Sequence, residues 1–412
     1  MRKFTTIVVA TIAIVSCVAC AKAKTEAKEE ATQVEFTEPQ RNIPEGAIAF
    51  DYGGHLYFDV MLRDSIPAKM AFDTGNTNIL IDLEFYNQHF DPANNLQRAI
   101  IQGAGNSFQA VYRDNRNWKY SLGAQSQTEQ GVVVMNLRKI LGDHVDGMFG
   151  MEFMRGKKIE LNYIDRYMRI MSQDEQPTEG YTCIKCQWLD KRQSRMTMPL
   201  SIKVTDKLAF NGLFLVDLGA RDAIALNSNT AARLRLNSVL TDVKKKIFDT
   251  GGVGGSRTDY IFKTKAISAA DNEIEDVSIS YSGNTQGAMA DERYDGLVGN
   301  ALFERFDVIF DFAKCEIWLR PNKNIDEEIK FDSGMTLTPK TDCWIVNGLI
   351  EGGNAHKAGI KRGDVITSIN GLSPEKIDLR RLELMNRSAE DWEIVVKRDN
   401  TEANITFEKE QR

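Results

Sequence analysis

Phe72-Asp73-Thr74-Gly75 decides how this chain reads, because Val216-Asp217-Leu218-Gly219 says nearly the same thing again. A strand pattern leads into each triplet. Leu56, Phe58, Val60 and Leu62 alternate with Tyr57, Asp59 and Met61, the period of a half-buried strand. A turn at 64–67 follows, then a second strand from Ala68 into Asp73. In the other copy Leu200, Ile202 and Val204 alternate, Asn211-Gly212 marks a turn, and Leu213-Phe214-Leu215-Val216 runs into Asp217. Another apolar run follows each triplet, Ile79-Leu80-Ile81 in one copy and Ala223-Ile224-Ala225-Leu226 in the other. Further on, Val145-Asp146-Gly147-Met148-Phe149-Gly150 is echoed by Tyr294-Asp295-Gly296-Leu297-Val298-Gly299. Asp146 lies 73 residues after Asp73, and Asp295 lies 78 after Asp217. Beyond these motifs Phe153 matches Leu302, Ile159 matches Val308, Leu161 matches Phe310 and Met168 matches Ile317, without a gap. An internal repeat of this length predicts two similar β-rich lobes.

One Asp-Thr-Gly alone is an ordinary turn sequence. Two strand-flanked Asp-x-Gly triplets in a duplicated frame, each with Asp-Gly-x-x-Gly downstream, resemble the pepsin-like and retropepsin-like aspartic proteases. The resemblance covers about residues 43 to 322. It implies a mostly β, bilobal acid-protease fold in which Asp73 and Asp217 are the catalytic pair. Thr74, Gly75, Gly219, Asp146, Gly147, Asp295 and Gly296 would form the supporting loops. Two carboxylates held a few Å apart cannot both ionise, so such a pair shares one proton across a bound water. The ionised partner activates the water and the protonated one donates to the peptide carbonyl. The resemblance implies no cofactor and no metal, and a peptide or protein as substrate.

A second Asp-Thr-Gly, at 249–251, follows Lys244-Lys245-Lys246, which does not read as a buried strand. It lies 46 residues before Asp295, out of frame with Asp73. Its continuation, Gly252-Val253-Gly254-Gly255, corresponds to Gly103-Ala104-Gly105. In the family a first-lobe hairpin covers the substrate as a flap with an aromatic near its tip. Gly103, Gly105, Phe108 and Tyr112 are the flap candidates. Two departures stand out. The family's Thr or Ser hydroxyl grips the opposite loop, which Leu218 cannot do, and Asn76 replaces a small residue. Leu218 leaves a second reading open: a catalytically impaired pseudoprotease that binds peptides at the cell envelope.

The segment from about 323 to 412 carries a different signature. Glu351-Gly352-Gly353-Asn354-Ala355-His356-Lys357-Ala358-Gly359-Ile360 leads into Gly363-Asp364-Val365-Ile366 and Ile369-Asn370-Gly371. This resembles the PDZ domains attached to bacterial proteases. It implies a small α/β module with a helix over Pro374 to Met385 and a carboxylate-binding loop around Thr341 to Cys343, for a C-terminal peptide ligand.

Composition bounds the rest. The 412 residues are 42% hydrophobic and 27% charged with net charge −6, so no basic excess exists to meet nucleic acid. Four scattered histidines lack metal-ligand spacing. Arg2, Lys3 and the apolar run Ile7 to Val15 predict a signal peptide over 1–16. Ile14-Val15-Ser16-Cys17 resembles a bacterial lipobox, with Cys20 as the competing site. That resemblance implies a lipid-anchored protein of the bacterial envelope, periplasmic or surface-facing, on a flexible tether over 17–42. The expected domains are then 43–175, 176–322 and 323–412. Cys183 and Cys186 are candidates for a disulfide in an oxidising compartment.

Overall fold

A computed structural model describes residues 40–91, 96–250, 252–327, 329–399 and 401–411. The signal peptide, both candidate lipidation sites (Cys17 and Cys20), most of the tether and Gly251 lie outside these residues. The described chain is mostly β, with 48% strand against 13% helix, which fixes the fold class.

The alternation around Leu56 produces the first hairpin. β1 (Leu56–Leu62) pairs antiparallel with β2 (Ile66–Asp73), from Leu62↔Ile66 to Leu56↔Phe72. Leu56, Phe58, Val60 and Leu62 turn into the core. The first lobe continues through β3 (Ile79–Asp82), β4 (Leu96–Gln102), β5 (Phe108–Leu122), β6 (Gln125–Met135) and β7 (Gly147–Gly150). β2 runs parallel to β7, β7 antiparallel to β3, and β3 parallel to β6.

After β8 (Lys158–Asn162) and β9 (Tyr167–Met171), the second lobe repeats this scheme. Its strands include β10 (Arg195–Thr205), β11 (Leu208–Val216), β12 (Ile224–Leu226), β13 (Lys244–Phe248), β14 (Arg257–Lys263), β15 (Ser278–Ser282) and β16 (Gly296–Val298). β10 and β11 form the hairpin. β11 runs parallel to β16, β16 antiparallel to β12, and β12 parallel to β15. Lys244–Phe248 is a strand after all, with Lys246 and Phe248 buried, because β14 flanks it on one side and the C-terminal unit on the other.

The halves meet in a six-stranded sheet whose centre is β8 against β17 (Phe306–Asp311), with β9 and β18 (Glu316–Pro321) outside them. Glu160 pairs directly with Ile309, and these two positions are equivalent in the repeat, 149 residues apart like Asp146 and Asp295. A local two-fold axis therefore passes between them. Cys183 and Cys186 flank the outer edge of this sheet and are free, as are Cys315 and Cys343. Three residues apart along an extended chain, Cys183 and Cys186 point to opposite faces, so the expected disulfide does not form.

The C-terminal unit contains β19 (Met335–Pro339), β20 (Trp344–Ile350), β21 (Val365–Ile369), helix α1 (Leu379–Arg387), β22 (Trp392–Arg398) and β23 (Thr401–Phe407) around Trp344, Val346, Ile366, Trp392 and Ile394. The helix starts later than Pro374, because the Asp378 side chain caps it by accepting the Arg381 N–H at 2.7 Å. β20 also joins the second lobe's sheet, with Lys246↔Ile350 and Phe248↔Gly348.

Candidate active site

β2 ends on Asp73, and Asp217 directly follows β11. Both strands are held at equivalent points. The Lys69 N–H donates to Asp146 Oδ2 at 2.9 Å, and the Leu213 N–H donates to Asp295 Oδ2 at 2.9 Å, each four residues before the terminal Asp. Arg138 and Arg233 pair with the other oxygens of these two carboxylates. Asp146 and Asp295 thus anchor the strands from behind and do not face Asp73 and Asp217. The turns that follow are tight against both carboxylates. Gly75 N–H donates to Asp73 Oδ1 at 2.7 Å, and Gly219 N–H to Asp217 Oδ1 at 2.9 Å. A Cβ on Gly219 would sit 2.4 Å from Asp73 Cγ, and one on Gly75 would sit 2.9 Å from Asp217 Oδ1. Each glycine packs on the opposite lobe's carboxylate, and no other residue fits.

The Asp73 and Asp217 carboxyls meet on the floor of a cleft, within reach of a shared proton. Burial, and then the charge of Asp217, push the Asp73 carboxyl well above the usual carboxylate range. Burial raises Asp217 as well, while the hydrogen bond from Asp73 draws it back down. The two carboxyls therefore hold one proton between them, and the titration belongs to the pair.

Thr74 crosses the axis beneath the pair. Its Oγ1 donates to Val216 O at 2.9 Å and accepts the Leu218 N–H at 2.9 Å. The reciprocal hydroxyl is missing, since Leu218 is wholly buried in the main core. Asn76 is accommodated because its side chain bonds Asn78 at the turn.

Two hairpin tips roof the cleft. Gly105 N–H donates to Val253 O at 2.8 Å, Ser107 N–H to Gly254 O at 3.0 Å, and Ala288 N–H to Gly103 O at 3.1 Å. Gly103 and Gly105 therefore sit in this roof. Phe108 and Tyr112 are not its aromatic: they are 66% and 36% exposed, because strand alternation turns both outward and Val111 inward. Asp249 stays clear of the cleft floor, ion-paired to Arg362 at 2.8 Å.

The cavity beneath this roof holds about 1330 Å³. Sequence reasoning passed over His55, Arg195 and Arg221, which line it. The signal for the first two is register. Extending the two hairpin pairings puts His55 opposite Asp73 and Arg195 opposite Asp217. Burial and the Arg221 charge push His55 down to about 3, so the ring stays neutral beside the Gly219 backbone. Arg221 reaches Glu383 of α1 at 2.6 Å, and Arg387 ties Glu383 (2.8 Å) to Glu304 (2.9 Å).

A comparison with curated protein sequences gives no match. A family model described as PDZ domain matches residues 345–382, which span β20, β21 and the start of α1. The C-terminal unit contains a PDZ domain. Domains of this family bind peptide ligands, in keeping with a peptide partner. The loop expected to hold a ligand carboxylate is already taken in this chain. Thr341 N–H donates to Asp143 Oδ2 at 3.1 Å and Lys340 Nζ to Asp143 Oδ1 at 2.7 Å, docking the PDZ loop on the first lobe. β19 and α1 line the same cavity as Asp73 and Asp217, so the PDZ domain forms one wall of the cleft.

Proposed function

We propose that the chain is an aspartic-type endopeptidase of the pepsin-like and retropepsin-like kind, with its PDZ domain as a wall of the substrate cleft. The observation that carries this is the reciprocal seating of Asp73 and Asp217, each carboxylate against the other loop's glycine on the cleft floor. Water held by the pair loses a proton to Asp217 as its oxygen attacks the peptide carbonyl carbon. Asp73 gives its proton to the carbonyl oxygen. Collapse of the tetrahedral adduct breaks the C–N bond: the proton on Asp217 goes to the departing amine, and one hydroxyl of the adduct returns its proton to Asp73 as the new acid's carbonyl forms. One water is consumed, and an acid and an amine leave.

A lipid-anchored place in the bacterial envelope, with Cys17 or Cys20 as the acylated residue, belongs to the same proposal. Leu218 favours the second reading, peptide binding without cleavage. Mass spectrometry of a peptide library incubated with the protein separates the two. New termini should appear with wild type and Asp249→Asn and vanish with Asp73→Asn and Asp217→Asn. Binding without new termini would favour the second reading, and an inactive Asp249→Asn beside an active Asp73→Asn would refute the dyad.

A further inference from the structure

The cleft holds a positive charge that the hydrolytic step does not use. Arg195 opens β10 and lines the cavity with Asp217. Its Nε is buried and has no hydrogen-bond partner among the described residues. The neighbouring acid that could satisfy it, Asp291, is already held by Arg293, through Nε at 3.0 Å and Nη2 at 2.5 Å. The Arg195 charge nevertheless reaches the site: after larger causes, it works against the rise of Asp217 and adds to the lowering of Asp291. The lobe-one counterpart, His55, is kept neutral by burial. The local two-fold is therefore broken in charge: a neutral ring stands at the position opposite Asp73 and a cation at the position opposite Asp217. A guanidinium in the cleft with a buried, unpaired N–H is completed by a planar carboxylate.

We infer that Arg195 binds a carboxylate of the peptide chain in the cleft, next to the bond that is cut, and so selects acidic over neutral peptides. The inference rests on the peptidase reading of the cleft and names its substrate class. The carboxylate is either an acidic side chain or the peptide's own C-terminus.

The test uses paired peptides, Glu against Gln at each position flanking the cut, and free against amidated C-termini. Each pair is assayed for cleavage, and for binding by fluorescence anisotropy, with wild type, Arg195→Gln and Arg195→Lys. The expected result is a wild-type preference for the charged member of about tenfold or more, the size of a charge-assisted hydrogen bond. Arg195→Gln should abolish the preference, read as the ratio of kcat/KM between the charged and neutral members of each pair, and Arg195→Lys should keep part of it. Which pair shows the preference identifies the carboxylate's source. Charge-selective binding without cleavage would overturn the peptidase reading and leave the role of Arg195 standing. No charge preference in wild type, or equal losses for acidic and neutral peptides in Arg195→Gln, would overturn the inference.

Discussion

Replacing Thr74 by valine removes one hydroxyl and keeps the shape. In the folded protein that hydroxyl satisfies two backbone groups of the opposite lobe, the Val216 carbonyl and the Leu218 N–H, both at 2.9 Å. Thr74 is fully buried, so no water replaces it in place. A buried backbone group left unpaired costs about 1–3 kcal/mol, so Thr74→Val should lose roughly 2–4 kcal/mol, allowing for some relaxation. Thr74→Ser keeps both bonds and gives up one methyl group, about 1 kcal/mol. Urea unfolding of the three proteins, followed by tryptophan fluorescence, measures the difference. Turnover should fall further in the valine than in the serine variant, because the bond fixes one Asp loop relative to the other. Equal stability of Thr74→Val and Thr74→Ser would refute the claim that this hydroxyl ties the lobes together.

Leu218→Thr exchanges buried apolar volume for the missing second grip; it should cost roughly 1–3 kcal/mol of stability while turnover holds or rises. Lower turnover in a folded variant would show that the leucine is part of a working design. Asp73→Asn should stabilise the protein near pH 7: the raised carboxyl binds its proton more tightly when folded, so its contribution to stability is present below the unfolded value of about 3.9 and lost as pH rises through the folded value. The gain should fade towards pH 3 in thermal melts, and a variant less stable than wild type at pH 7 would contradict it. Asn347 of the PDZ domain holds the second-lobe hairpin through Thr250 N–H (2.8 Å) and Thr250 O (2.9 Å). Asn347→Ala should speed hydrogen exchange at residues 103–107 as well as in the hairpin, by about tenfold for a loss near 1.4 kcal/mol. Unchanged exchange at 103–107 would mean that the roof does not depend on the PDZ domain.

The two-lobe repeat was legible because close approach fixes residue types. Gly219 lies against the opposite carboxylate, and a Cβ on Gly150 would sit 1.9 Å from the Asp73 carbonyl oxygen. Such positions admit glycine only, whatever the rest of the chain does. The features missed depend on partners distant in sequence. Lys244–Phe248 has no strand alternation of its own and is extended because β14 and β20 flank it. Thr341 looked like an open loop until Asp143, from another lobe, filled it. His55 and Arg195 carry no motif, and only the register across each hairpin puts them beside the dyad. Phe108 and Tyr112 had the right composition for a flap and the wrong phase along β5.

The central claim is that Asp73 and Asp217 share one proton. Carbon-13 labelling of aspartate carboxyls, with NMR titration of wild type and Asp217→Asn, addresses it directly. Asp259, which burial pushes up to about 6, is present in both proteins and serves as the internal reference. In wild type the Asp73 resonance should keep its proton well above the ordinary carboxylate range. In Asp217→Asn it should titrate lower, because the neighbouring charge and its hydrogen bond are gone, while burial holds it above a free aspartate. An Asp73 titration that does not move when Asp217 is replaced would contradict the account.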